Sequence, residues 1–165
     1  MLAFIFLLFN KQVFMKDFII KLQAFEEMLS NDLKTVAMGD FALEDEKTRP
    51  EVQTLVFEYF FPQLEIAFYP LNQADDQLGY KDLLGGVGIL KDTEEHELMA
   101  LEEEKNTNSK NYQAMGNTFA DWFAQLWENA GGKKLNLPTF LIPNDDTMMK
   151  FDLNQKIWLN DESYK

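Results

Sequence analysis

The side chains with most capacity for chemistry in this chain are carboxylates, and several come in short runs: Asp75-Asp76, Glu94-Glu95-His96-Glu97, Glu102-Glu103-Glu104 and Asp145-Asp146. Glutamates around a histidine could ligate a metal ion or exchange a proton with a substrate. A zinc-binding helix, however, places a second histidine one turn from the first, and His96 is the only histidine present. Glu94, Glu95 and Glu97 are accounted for by the first turn of a helix, where the backbone dipole favours negative charge. The two aspartate pairs lack the alternating ligands, central glycine and closing glutamate of a calcium loop. Glycoside hydrolysis would need two carboxyls brought together across a substrate, whereas turn chemistry accounts for both pairs without it.

Other motifs fall short of a site in similar ways. Gly85-Gly86-Val87-Gly88 has the composition of a phosphate loop, but Lys91 follows at the wrong distance and no serine or threonine adjoins it, so a flexible turn is expected. No Gly-x-Ser-x-Gly is present for serine chemistry. The absence of cysteine excludes disulfides, thiolate nucleophiles and cysteine-ligated zinc or iron–sulfur sites. Phe119, Trp122, Phe123 and Trp127 form an aromatic stripe that reads as core. Trp122 lies off the narrow line of that stripe, where it could reach a rim and anchor a partner. No cofactor is called for. A carboxylate-based hydrolase or metal-dependent enzyme stands as the alternative to a binding protein.

The charge balance says what such a surface would attract. The chain carries 28 acids against 15 bases, a formal charge of −13, and Arg49 is its only arginine. Nucleic acid and anionic membranes are gripped by clusters of arginine and lysine. No such cluster is visible, so neither is an expected partner. A basic protein would be drawn in, and faster at low salt, while the same charge also serves plain solubility. The residues expected to meet such a partner are Asp75, Asp76, Glu94, Glu95, Glu102, Glu103, Glu104 and Trp122.

The elements that must position these groups follow from periodicity. A chain of 165 residues suits one domain with ample core, so residues 1–165 are read as a single unit. Its opening apolar run, Leu2 to Phe9, is shorter than the roughly 18–20 residues that cross a bilayer, and it lacks the flanks of a signal peptide. It reads as a buried strand or the first turns of a helix, as sequence upstream of a start at Met15, or as an unusual export or anchoring segment. Residues 1–14 are therefore set apart as an added segment, one that would also suit the interface of a homo-oligomer. The lack of cysteine fits a reducing cytoplasm, the expected location, and also a periplasmic protein that needs no bridges.

Helical spacing is expected over residues 14–33, with Phe18, Leu22, Phe25 and Leu29 on one face, and over residues 50–61, ended by Pro62. It is expected again over residues 92–105, capped by Thr93, and from Asn117 or Thr118 to Ala130, closed by Gly131-Gly132. Strands are expected at residues 64–69, where Pro70 ends the strand or marks an edge, and at 135–137 and 140–142. A hairpin pairs residues 148–152 with 156–160. Helices and strands are segregated, which favours an α+β fold with helices packed on a small, mostly antiparallel sheet.

Thr118-Phe119-Ala120-Asp121-Trp122-Phe123-Ala124-Gln125-Leu126 resembles the SFxxWLxxL helix of SUKH-superfamily domains. In a second alignment, Trp122 to Gly132 is similar to that family's FLxxxNGG stretch. The resemblance implies an α+β domain of the immunity-protein kind, which neutralises a toxin, frequently a nuclease. The expected function is thus an acidic partner-binding protein, with inhibition of a basic toxin as its specific form.

Overall fold

The computed structural model describes residues 2–145 and 148–160, with side chains from Phe14 onward. A long helix α1 (Leu2–Ala37) leads into a 3-10 turn (Glu46–Glu51) and the hairpin of β1 (Thr54–Phe60) and β2 (Glu65–Leu71). A two-residue β3 (Lys81–Asp82), α2 (Glu95–Asn106), α3 (Lys110–Asn129), β4 (Thr139–Pro143), β5 (Met149–Asp152) and β6 (Ile157–Asn160) follow. The strands form one sheet in the order β3-β2-β1-β4-β5-β6. Only the β1–β4 pairing is parallel; the rest are antiparallel. The architecture is the α+β fold, with a mostly antiparallel sheet, that the segregation of elements implies.

In α1, Phe18, Leu22, Leu29, Leu33 and Val36 are buried, a stripe at helical spacing, while Lys16, Asp17, Glu26 and Glu27 stay wet. The helix runs unbroken through Met15, and Phe14 and Met15 pack partly against the core. The opening run takes a helical backbone rather than that of a strand; its side chains lie outside the described residues. Gly39 at φ 94 ends the helix. Its N–H donates to Val36 O and that of Asp40 to Thr35 O, which satisfies two terminal carbonyls.

The helix expected over residues 50–61 is instead β1, preceded by the 3-10 turn that holds Pro50. Leu55, Val56 and Phe57 are all at 2% exposure or less, so this strand is buried on both faces. A strand in that position is apolar at consecutive residues and mimics helical spacing by chance. Its β-branched and aromatic content is the better guide. The second strand came out as expected, but Pro70 lies inside β2 rather than ending it. Pro70 O accepts from Leu78 N on the side away from β1, so the missing N–H costs no bond to β1.

Ser109, rather than Asn117 or Thr118, caps α3: its Oγ accepts from Tyr112 N at 3.0 Å. Thr93 does not cap α2; its hydroxyl accepts from Lys21 Nζ at 2.6 Å and ties α1 to the start of that helix. The strand expected at residues 135–137 is absent, because the chain makes a 3-10 turn over Gly132–Leu135. β4 and the β5–β6 hairpin stand where expected.

Helices α1 and α3 pack on one another and on one face of the sheet. Leu55, Phe57 and Tyr59 alternate toward them. Phe57 lies 5.0 Å from Phe123 and 5.4 Å from Trp127, and Tyr59 lies 4.9 Å from Phe119, between ring centroids. Gly132, just past α3, lets the chain turn over Trp127: a Cβ there would overlap the indole ring. Gly132→Ala is expected to lower the unfolding free energy by about 1–3 kcal/mol, the usual cost of overpacking, read as a lower urea midpoint at an unchanged slope.

Candidate functional site

The parallel pair β1–β4 sends both chains toward the same end of the sheet, and a cavity of about 290 Å³ opens where they leave it. Tyr59 comes from β1, Pro143 and Asp145 from the end of β4, and Met149 and Trp158 from β5 and β6. The first half of α3 closes the opposite side with Tyr112, Gln113, Gly116 and Asn117, and Asn108 adds the loop before it. Among the described residues, one carboxylate and no lysine, arginine or histidine lines the space.

The segment after β4 is fixed from several sides. Asn144 N–H donates to Tyr59 O at 2.9 Å, extending the ladder by one bond. Asn144 Nδ2 donates to Glu58 Oε1 at 2.8 Å. Tyr112 Oη donates to Asp145 Oδ2 at 2.7 Å, a short bond to a carboxylate that joins α3 to the end of β4. On the outer wall, Trp158 Nε1 donates to Asn117 Oδ1 at 2.8 Å and ties the edge strand to α3. Burial, reinforced by the charge of Asp145, holds the Tyr59 hydroxyl well above the ordinary tyrosine range. Burial and then the hydrogen bond to Asp145 do the same for Tyr112. Both phenols therefore stay protonated and remain donors.

Gly116 has a particular place in this wall. Seven of the eight glycines have a positive φ or an approach that a Cβ would obstruct: Gly79 against Ala42 O, Gly88 against Gln63 O and Gly132 against Trp127 are of the second kind. Gly116 has neither. A Cβ there would meet only the Tyr59 hydroxyl, at an ordinary 3.5 Å.

The carboxylates singled out by sequence do not gather in this cavity, apart from Asp145. Asp75 and Asp76 are exposed in the loop after β2, where Asn72 Oδ1 accepts from Ala74 N and Asp76 N. That loop lies at the start of β1, since Gln53 N–H donates to Leu71 O. Residues leading to α2 sit at the other end, where Leu90 N–H donates to Gln63 O in the β1–β2 turn. The two acidic groups are thus separated by the length of the sheet.

Along α2, Glu94, Glu95, His96, Glu97, Glu102 and Glu103 are exposed; Glu104 is half-buried and accepts from Asn111 Nδ2 at 2.6 Å. Trp122 is half-buried, packs on the core beside Phe119 and encloses its Nε1 without a partner. Asp146 lies outside the described residues.

The glycine run is a turn, as expected. Leu84, Gly85 and Gly86 are all left-handed, and Leu84 N–H donates to Asp32 Oδ2 at 2.7 Å. The next helix begins only at Glu95, so the turn is not at a helix N-terminus as a phosphate loop requires. Among the described residues, no group of three or more histidine, aspartate or glutamate side chains is placed to hold a metal ion. Likewise, no described helix is long and apolar enough to cross a membrane.

Sequence reasoning missed Tyr59, Tyr112, Gly116 and Trp158, and took Asn117 for a cap. No local signal marked them: Gly116 stands beside Asn117 and reads with it as the break before a helix. No family model matches the chain, and no curated protein or solved structure is significantly similar to it.

Glu128, at the far end of α3, is the carboxylate most displaced from its ordinary pKa. Hydrogen bonds from Lys156 and Lys133 hold it down at about 2. The group is well exposed, and solvent screening keeps its contribution to stability small. Because the folded pKa is depressed, that contribution is present above about 4.5 and fades as pH falls toward about 2. A carbon-detected NMR titration should place the Glu128 midpoint near 2, and Lys156→Met should move it upward. Separately, Gly116→Ala should stabilise the fold by about 0.5–1 kcal/mol through helix propensity, read as a raised urea midpoint.

Proposed function

We propose that this chain is a protein-binding domain whose partner is a basic protein. Its specific form, in line with the resemblance to SUKH-superfamily domains, is an immunity protein that inhibits a basic toxin in the cytoplasm. The observation that carries this reading is the junction of α2 and α3. Exposed Glu94, Glu95, Glu97, Glu102 and Glu103 line α2, with Met99 at 67% exposure among them. The last turn of that helix leads into Asn108 at the edge of the cavity that holds Asp145.

Negative charge at a helix N-terminus stabilises it, but Glu102 and Glu103 lie toward the C-terminal end, where the dipole opposes them. Those two residues contribute nothing to the helix through its dipole; a cationic partner would offset their cost. Their field also extends roughly a Debye length, about 8 Å at physiological salt, and would steer such a partner in. Asp75 and Asp76, at the other end of the sheet, fall outside this surface. Trp122 contributes through the core rather than as a free anchor.

A second reading, a homo-oligomer subunit, draws on Ile19, Ile20 and Met28, which are 42%, 53% and 53% exposed on the outer side of α1. Light scattering on the full chain decides it: a monomer at all concentrations removes this reading.

For the partner reading, proteins retained by the immobilised full chain at low salt are identified, purified and assayed for affinity. Replacing Glu94, Glu95, Glu102 and Glu103 together by glutamine should slow association at least about tenfold at low salt. At physiological salt, where the Debye length is about 8 Å, Asp75→Asn with Asp76→Asn should leave it within about twofold, because screening isolates that end of the sheet. If no basic protein is retained, or if neutralising α2 leaves association unchanged, the reading fails.

A further inference from the structure

We infer that the cavity at the ends of β1 and β4 binds a neutral organic molecule of one or two rings, which presents a carbonyl oxygen to the Tyr59 hydroxyl. The first observation is that hydroxyl. Tyr59 is 2% exposed, and among the described residues its Oη has no hydrogen-bond partner. The fully enclosed side-chain atoms without a partner are Trp122 Nε1, Trp127 Nε1 and Asn154 Oδ1. Tyr59 Oη is not among them, so the little surface left to this side chain includes its hydroxyl, at the cavity that Tyr59 lines. Burial keeps the phenol protonated, and it therefore offers an O–H. A molecule that covered the group without accepting from it would strand a buried donor, whereas an acceptor satisfies it.

Gly116 is the second observation. Inside a helix a glycine costs stability relative to alanine, and α3 runs unbroken through this position. Apart from the helix's own backbone, a Cβ there would meet only Tyr59 Oη, at 3.5 Å. Alanine would thus pack without collision, but its methyl would sit beside the hydroxyl. The helix gives up propensity at the position where a methyl would crowd this donor.

The other walls suit a ring. Their exposed surface is mostly apolar: Tyr112 and Trp158 contribute aromatic rings, and Pro143 and Met149 add apolar side chains, the methionine with a thioether that favours aromatic contacts. The polar ends of the two aromatic residues are already engaged, Tyr112 Oη with Asp145 and Trp158 Nε1 with Asn117. Tyr59 is left to orient the occupant. A mostly apolar lining with few convergent polar groups is the usual make-up of a small-molecule site, and a full charge brought into it would pay for lost hydration. About 290 Å³ is at the lower limit of such pockets, which run from roughly 300 to 1,000 Å³. One or two rings fit; a nucleotide or a larger cofactor does not. The site does not rest on the partner reading, since none of the α2 glutamates lines it.

The probes are cyclohexanone, acetophenone and 1-indanone, each titrated into the full chain labelled with nitrogen-15, with indane as the hydrocarbon of indanone's shape. The Trp158 indole N–H, bonded to Asn117 at the cavity wall, reports occupancy, and Trp122 and Trp127, outside the lining, serve as internal controls. At least one ketone should shift the Trp158 signal saturably and leave the controls in place. Tyr59→Phe keeps the ring and has no hydrogen bond within the fold to lose. It should weaken that ketone at least about fivefold, the worth of one ordinary hydrogen bond, while indane loses no affinity. Gly116→Ala, which keeps the fold, should weaken the ketone at least about threefold by crowding the hydroxyl.

Three results overturn the site. The first is that none of the ketones gives a saturable shift at Trp158. The second is that Trp122 and Trp127 shift equally, which means general partitioning into the core. The third is that Tyr59→Phe leaves ketone affinity unchanged.

Discussion

Phe57 sits at the middle of β1, a central strand paired with β2 on one side and β4 on the other, and its ring meets Phe68, Phe123 and Trp127 at 5.0, 5.0 and 5.4 Å. That contact fixes α3 across the sheet. Aromatic pairs contribute about 0.5–1.5 kcal/mol beyond their buried area, so this cluster sets the angle and height of the helix as well as holding it. Everything at the end of the sheet inherits the placement: Tyr59 is two residues along β1, and Phe119 meets it one helical turn before Phe123. Farther up α3, Gly116 and Tyr112 arrive where β1 and β4 stop. Gly132 closes the other end by allowing the chain to cross Trp127.

The cavity follows from an asymmetry in that packing. At the level of Phe57 the space between sheet and helix is filled by large rings. At the level of Tyr59 and beyond, the strands end while α3 continues toward its N-terminus, so the helix overhangs a space that no strand fills. Polar groups line it because backbone and side chains there must still be satisfied. Asp145 bonds to Tyr112, Asn117 to Trp158, and Asn144 to Glu58. The phenols are pushed toward their protonated forms by the same burial that fills the neighbouring core. A pocket at the ends of parallel strands is a general consequence of such topology; what distinguishes this one is a carboxylate, Asp145, among the rings of Tyr59, Tyr112 and Trp158.

How much of this was legible in the sequence depended on whether the signal was local. The second half of α3 was plain, because Phe119, Phe123, Leu126 and Trp127 recur at helical spacing before Gly131. Its first half was not: Lys110 to Asn117 has only Tyr112 and Met115 as large apolar residues, so the cap was placed eight residues late at Asn117. β1 misled for the opposite reason. Leu55, Val56 and Phe57 are apolar in succession because both faces of the strand are buried, and a continuous run has no period to read. The cavity was beyond local signals altogether. Tyr59, Tyr112, Asp145 and Trp158 are separated by dozens of residues, and each is an ordinary residue type whose meaning comes from the parallel pairing of β1 with β4.

Charge and shape can be separated as grounds for binding. A net charge of −13 acts at a distance on any cation, and would do so with the acids in any arrangement. Shape acts only at contact. Asp75 and Asp76 belong to the first category alone, since they decorate a turn that Asn72 already organises. Asp145 belongs to both. It is held by Tyr112 against α3, in a cavity that Tyr59, Trp158 and Gly116 also line, and Asn108, just past α2, stands at its edge. The acids of α2 act through charge alone, whereas Asp145 is also part of a defined shape.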